Sequence, residues 1–172
     1  VTASSREVQE MVAKEGAIEY LTNLLLPKDP KDATIGGSLE GRFEAAGALW
    51  SLSKENEETT PGIAEAGAIG RLVKLLHEEN PDAQKNAAGA LGALAGVGGR
   101  KIQELITKEG GIMPLVKLLE PGYIVHVYAA TALAELARRY PANQTAVAGK
   151  NAIRLLVDLL ITPEEEEAAK AA

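Results

Sequence analysis

Apolar residues along the chain recur in stripes with helical spacing. In Ile69-x-x-Leu72-Val73-x-Leu75-Leu76 the stripe covers one broad helix face, and matching stripes start at Ile18, Ile112 and Ile153. The pattern predicts four apolar helices over 18–26, 69–77, 112–119 and 153–160. Each follows a corner: Glu15-Gly16-Ala17, Ala66-Gly67-Ala68, Gly110-Gly111 and Asn151-Ala152. Glycine suits such corners because a helix end commonly needs one residue at positive φ. Longer Ala/Leu helices are predicted over 43–53, 82–95 and 125–139. Their alanine pairs begin at Ala45, Ala87, Ala129 and Ala171, each 42 residues after the last. Leu49, Leu91 and Leu133 keep the same step, as do Leu52, Leu94 and Leu136. A fixed period of this length marks stacked supersecondary units rather than one globular core.

The period works as a ruler. Ile18 to Ala45 spans 27 residues, whereas Ile69 to Ala87 and Ile153 to Ala171 span 18 and Ile112 to Ala129 spans 17. About nine extra residues therefore lie within 27–41, a Pro/Gly/Asp-rich stretch expected to form a loop. The expected units are 4–66 with that insertion, 67–108, 109–149 and a truncated fourth at 150–172. Leu76 to Ala87 and Leu160 to Ala171 are both 11 residues, so the end of the chain is in register with a fourth long helix. With Val1 in place of an initiating Met, the chain is expected to be cut from a longer array. Helix starts are predicted at a Ser4/Glu7 capping box, at Thr60-Pro61, at Asn143 before Gln144, and at Thr162-Pro163 ahead of the acidic run 164–167.

Composition narrows the chemistry. With 46% hydrophobic but only 3% aromatic residues, the core must be Leu, Ile, Val and Ala. A net charge of −6 argues against a nucleic-acid binder that tracks phosphates. No cysteine is present, which excludes disulfides, thiolate zinc sites and cysteine nucleophiles. His77 and His126 fall in different units, so no metal site is expected, and no cofactor. Gly96-Val97-Gly98-Gly99-Arg100-Lys101 is glycine-rich but lacks the Gly-Lys-Ser/Thr ending of a phosphate loop, and is expected to be a turn between units. Asn143-Gln144-Thr145 is a glycosylation sequon by pattern only. No apolar run has membrane-spanning length, and no leader opens the chain. The expectation is an intracellular protein, cytoplasmic or nuclear, and not an enzyme, since no nucleophile, base and orienter fall within one unit.

The period, the Gly-Ala-Ile corners and the pattern Ala45-Ala46-Gly47-Ala48-Leu49, Ala87-Ala88-Gly89-Ala90-Leu91, Ala129-Ala130-Thr131-Ala132-Leu133 resemble armadillo repeats. That resemblance covers residues from about Ser4 to Ala172. It implies an all-α, right-handed α-solenoid with three helices per repeat, whose third helices line a groove that holds extended peptides. Import receptors of this family place a tryptophan just after the alanine pair and an asparagine four residues later. The equivalent positions here are Gly47, Gly89 and Thr131, then Ser51, Ala93 and Glu135, so neither ladder is present.

The expected groove lining is therefore built from other residues. Glu44, Asn86 and Tyr128 stand in the first turns, and Gly47, Gly89, Gly92 and Ala93 offer a shallow floor. Glycine in mid-helix costs about 1 kcal/mol against alanine, which implies close approach of a ligand or of a neighbouring helix. Trp50 beside Ser51 is either a groove anchor or a core aromatic, and Lys54, Arg138 and Arg139 sit at the helix ends. The expected function is a non-catalytic scaffold binding a peptide or helix in this groove, monomeric as a fragment, with no nucleic acid as partner and no membrane span. The alternatives are a self-association or intramolecular docking module, or the substrate-recognition part of a ubiquitin-ligase-type assembly.

Overall fold

Left-handed backbone at Gly16 (φ 82°), Gly67 (78°), Gly110 (82°) and Asn151 (61°) turns the chain at each predicted corner. A β-carbon added at any of the three glycines would meet nothing within 4 Å. Conformation rather than space selects glycine there, and asparagine is among the few other residues that adopt it readily. The computed structural model behind these angles describes residues 3–32, 35–120, 124–149 and 151–159.

Helix α1 (Ala3–Val12) runs through one wide turn, Ala13–Ala17, into α2 (Ile18–Leu24), and α3 (Leu39–Ser53) completes the first set of three. Then follow α4 (Thr59–Glu65), α5 (Ala68–Leu75), α6 (Pro81–Lys108), α7 (Ile112–Lys117), α8 (His126–Ala137), α9 (Pro141–Ala148) and α10 (Ala152–Asp158). α6 serves twice. Its first half is the third helix of one unit, and residues 100–108 are the first helix of the next. The expected turn at Gly96–Lys101 is thus a break at Gly99 alone (φ 59°, ψ −152°) inside a 28-residue helix. Among the described residues there is no β-strand, and no helix is long and apolar enough to cross a membrane.

The periodic leucines form the core. Leu49, Leu91, Leu133, Leu94 and Leu136 are all but fully buried, with Leu52 close behind. Each contributes about 1.5–3 kcal/mol relative to an exposed position. The third helices pack side by side, α3 on α6 and α6 on α8, and their Ala45, Ala46, Ala87, Ala88, Ala129 and Ala132 are buried. Stability in such a stack accrues from neighbour to neighbour.

Three expected helix starts are corrected. α1 begins at Ala3, so Ser4 lies inside it. α4 begins at Thr59, and its cap is Asn56, whose Oδ1 accepts from the backbone N–H of Glu58 (3.0 Å) and of Thr59 (3.4 Å). The Thr60 hydroxyl is spent on the Asn56 carbonyl at 2.9 Å. α9 begins at Pro141, which leaves Asn143 buried within the helix rather than before it. Proline supplies the start because its φ is already helical and its missing N–H would have been an orphan. The same logic works at Asn80-Pro81, where Asn80 Oδ1 accepts from Ala83 N–H at 2.9 Å. The start at Thr162-Pro163 and the fourth long helix lie outside the described residues.

The insertion is shorter than the expected 27–41, because α3 already begins at Leu39, capped by Ser38 Oγ accepting from Gly41 N–H at 3.1 Å. Its described part is tied down. Gly37 N–H donates to Leu26 O (2.8 Å) and Asp29 N–H to Ile35 O (3.0 Å). At its base, nearly buried Arg42 donates through Nε to Leu25 O at 3.2 Å and pairs with Glu78 at 2.8 Å. The insertion is thereby tied to the end of α2, and Arg42 of α3 joins that end to Glu78.

Candidate functional site

The third helices α3, α6 and α8 enclose an open trough of about 670 Å³. Eight of the twelve sequence-derived candidates line it: Trp50 and Lys54 from α3 and its end, Gly89 and Ala93 from α6, and Tyr128, Thr131, Glu135 and Arg138 from α8 and its end. Glu44, Gly47, Ser51 and Asn86 do not. Asn86 instead reaches back across the repeat boundary, donating from Nδ2 to Phe43 O at 2.8 Å. Its amide covers Gly47, where a β-carbon would stand 3.0 Å from Nδ2. Ser51 donates to its own helix at Gly47 O (3.1 Å), and Glu44 projects into solvent.

Trp50 bridges three repeats. Its indole lies flat against Gly89 of the next third helix, where a β-carbon would meet ring atoms at 2.6 Å. Its edge relation to Tyr128 of the third helix beyond is T-shaped, with centroids 5.6 Å apart and planes at 87°. The indole is half-buried: it packs between repeats and faces the trough. Position 89 is where the armadillo resemblance placed an absent tryptophan. An indole nevertheless stands over it, supplied by the preceding repeat. The mid-helix glycines have a matching cause, since Gly92 faces Ala132, whose Cα would be 3.2 Å from an added β-carbon. The close approach inferred from glycine is that of neighbouring helices.

At the other end, Glu135 accepts from Arg138 Nη2 through Oε1, while its Oε2 is buried without a hydrogen-bond partner and lies against Gly96. Its backbone carbonyl accepts from Gln103 Nε2 at 2.7 Å, which fixes the end of α8 on the first helix of its own unit. Lys54 and Arg138 are exposed on the rim, and Glu55 brings a carboxylate beside Lys54. Further along α6, the hydrogen bond from Lys85 to Asp82 (2.6 Å) raises the lysine above its ordinary range and keeps it a cation. Glu55, Gly96, Val97 and Val127 also line the trough and were missed from the sequence. Val97 is four residues after Ala93 and Val127 four before Thr131, so extending the helix face by one turn would have found both.

Gly89→Ala tests the indole contact. Alanine should favour the helix by about 1 kcal/mol, but displacing a packed aromatic costs about 1–3 kcal/mol. The expected net effect is a loss of about 1 kcal/mol in urea unfolding together with a red shift of Trp50 emission, the chain's sole tryptophan. A stabilised variant with unchanged emission would place the indole elsewhere.

Comparison with known proteins agrees with this geometry. The family model for the armadillo/beta-catenin-like repeat matches residues 58–96. Importin subunit alpha-1b of Oryza sativa subsp. japonica is 36% identical over 78 residues, 45% of this chain and 14% of that protein. An engineered protein of known structure superposes with a TM-score of 0.80 at 31% identity, over 96% of this chain and 65% of its own. A designed armadillo repeat protein in complex with the peptide (KR)4 gives 0.79 at 29% identity, over 94% and 64%. The chain thus spans a small part of the importin subunit and just under two thirds of the two engineered structures. Residues 58–96 thus match an armadillo repeat, and the chain as a whole has the all-α solenoid fold of the designed armadillo repeat protein.

Proposed function

We propose that the trough between α3, α6 and α8 binds an extended peptide without catalysis, and that no cofactor or nucleic acid takes part. The observation that carries this reading is the half-exposed Trp50 indole, held over Gly89 and against Tyr128 at the centre of the trough. A rigid aromatic in a partly desolvated hollow is the usual anchor of a recognition surface. Trough charges are Lys54, Glu55, Glu135 and Arg138, two of each sign. This balance favours a ligand with one apolar side chain for the aromatic pair and flanking charges of both signs, in contrast to the purely cationic (KR)4 of the designed neighbour. The chain acts as a monomer, presenting the trough to a separate partner.

Selection from a displayed library of random extended peptides, with (KR)4 as a reference, tests this. Selected peptides should change Trp50 fluorescence and lose at least about tenfold in affinity on Thr131→Arg, which plants a bulky cation on an exposed trough position. Peptides that bind Thr131→Arg as well as the parent, with Trp50 emission unmoved, would refute the trough as the site.

A further inference from the structure

A second hollow lies outside the trough, between first helices. It separates α4 from residues 100–108 of α6 and encloses about 410 Å³, within the range of ligand-sized sites. Pro61, Ala64, Ile102 and Leu105 make its walls apolar. Small residues keep it open: a β-carbon at Gly98 would collide with Ile102 and come within 2.9 Å of Thr60. On the other side of residues 100–108 the neighbouring first helix is drawn in by hydrogen bonding, Thr107 Oγ1 donating to Asn143 Oδ1 at 3.0 Å.

The banks of the hollow carry opposite charge. Lys101 and Lys108 stand two turns apart on one side, and Glu57 and Glu65 face them from the other. All four are exposed, and none has an ion-pair partner among the described residues. Glu104 is already paired, accepting from Arg100 Nε at 3.0 Å. Four unpaired charges in two opposed rows beside an apolar slot make a complementary template.

We infer that this slot is a docking site, separate from the trough, for an amphipathic helix of a partner protein. Its apolar stripe would enter between Ala64 and Leu105. Acidic residues one heptad apart would run along Lys101 and Lys108, and basic residues along Glu57 and Glu65. Apolar anchors at i, i+3 or i+4, and i+7 are the way helices seat in such grooves. The two charge rows set the direction in which the helix lies, because turning it end for end would bring like charges together.

The probe is a stapled, fluorescein-labelled helix of about 15 residues, roughly four turns, with Leu along one face, Glu on one flank and Lys on the other. Binding should weaken by at least about tenfold for Lys101→Glu/Lys108→Glu and return when the peptide's Glu flank is changed to Lys. Ala64→Arg, which fills the slot, should abolish binding, and Thr131→Arg should leave it unchanged. No binding up to roughly 1 mM peptide, or binding indifferent to both the charge reversal and Ala64→Arg, overturns the inference. Because trough ligands respond to Thr131→Arg and slot ligands to Lys101, Lys108 and Ala64, the two sites fail separately.

Discussion

Trp50→Ala should lower the free energy of unfolding by about 2–4 kcal/mol, the range for removing a large, partly buried aromatic. Its indole fills the space above Gly89, where the helix has no side chain of its own, and its edge contact with Tyr128 adds about 0.5–1.5 kcal/mol beyond burial. Alanine leaves a hollow that Gly89, having no side chain, cannot fill. One substitution therefore weakens the contacts of α3 with both α6 and α8, in a fold whose stability resides in contacts between neighbouring repeats. Trp50→Phe should recover most of the loss, since it keeps an apolar ring over Gly89. Urea denaturation followed by circular dichroism measures both variants. A loss below about 1 kcal/mol for Trp50→Ala would mean that the indole hangs free in solvent.

The other large effect belongs to Asn143→Ala. Asn143 is 1% exposed, donates through Nδ2 to Leu136 O at 2.9 Å, and accepts from Thr107 Oγ1 at 3.0 Å. It thus joins α9 to the end of α8 and to the second half of α6. Alanine strands a buried carbonyl and removes two hydrogen bonds, for an expected loss of about 2–3 kcal/mol. Because α9 and α10 pack on neighbours from one side only among the described residues, the loss should appear first as local opening. Amide exchange across 141–158 should accelerate well before that of α3 or the first half of α6. Gln144→Ala is the control: its exposed amide donates to Ala137 O at 3.0 Å, and its loss should stay below about 1 kcal/mol. Equal effects at 143 and 144 would mean that the buried Asn143 amide contributes no more than an exposed one.

Asn143 also shows where sequence reasoning stops. Asparagine near a helix start reads as a cap, but Pro141 begins the helix two residues sooner and frees the amide for partners 36 residues back and 7 back. Asn56 carries the opposite lesson, capping α4 where Thr60 was expected to. In the trough, helical spacing from the alanine pairs picks out eight residues that line it. It misplaced Asn86 because nothing local indicates that its amide spans the repeat boundary to Phe43. The missing tryptophan ladder was legible as an absence; the indole standing over Gly89 was not.

The sequence by itself determined the 42-residue rhythm of Ala and Leu and whatever depends on residues within about one helical turn: the corners at Gly16, Gly67, Gly110 and Asn151 and the apolar faces. Backbone sterics and face periodicity act over that range, so they are written locally. Tertiary structure decided what each exposed face offers. Stacking carries Trp50 onto Gly89 and Tyr128, turns Asn86 away from the trough, and sets Lys101 and Lys108 opposite Glu57 and Glu65. Those pairings join residues roughly one or two repeats apart, at distances set by how neighbouring helices pack and not by any one repeat's own sequence.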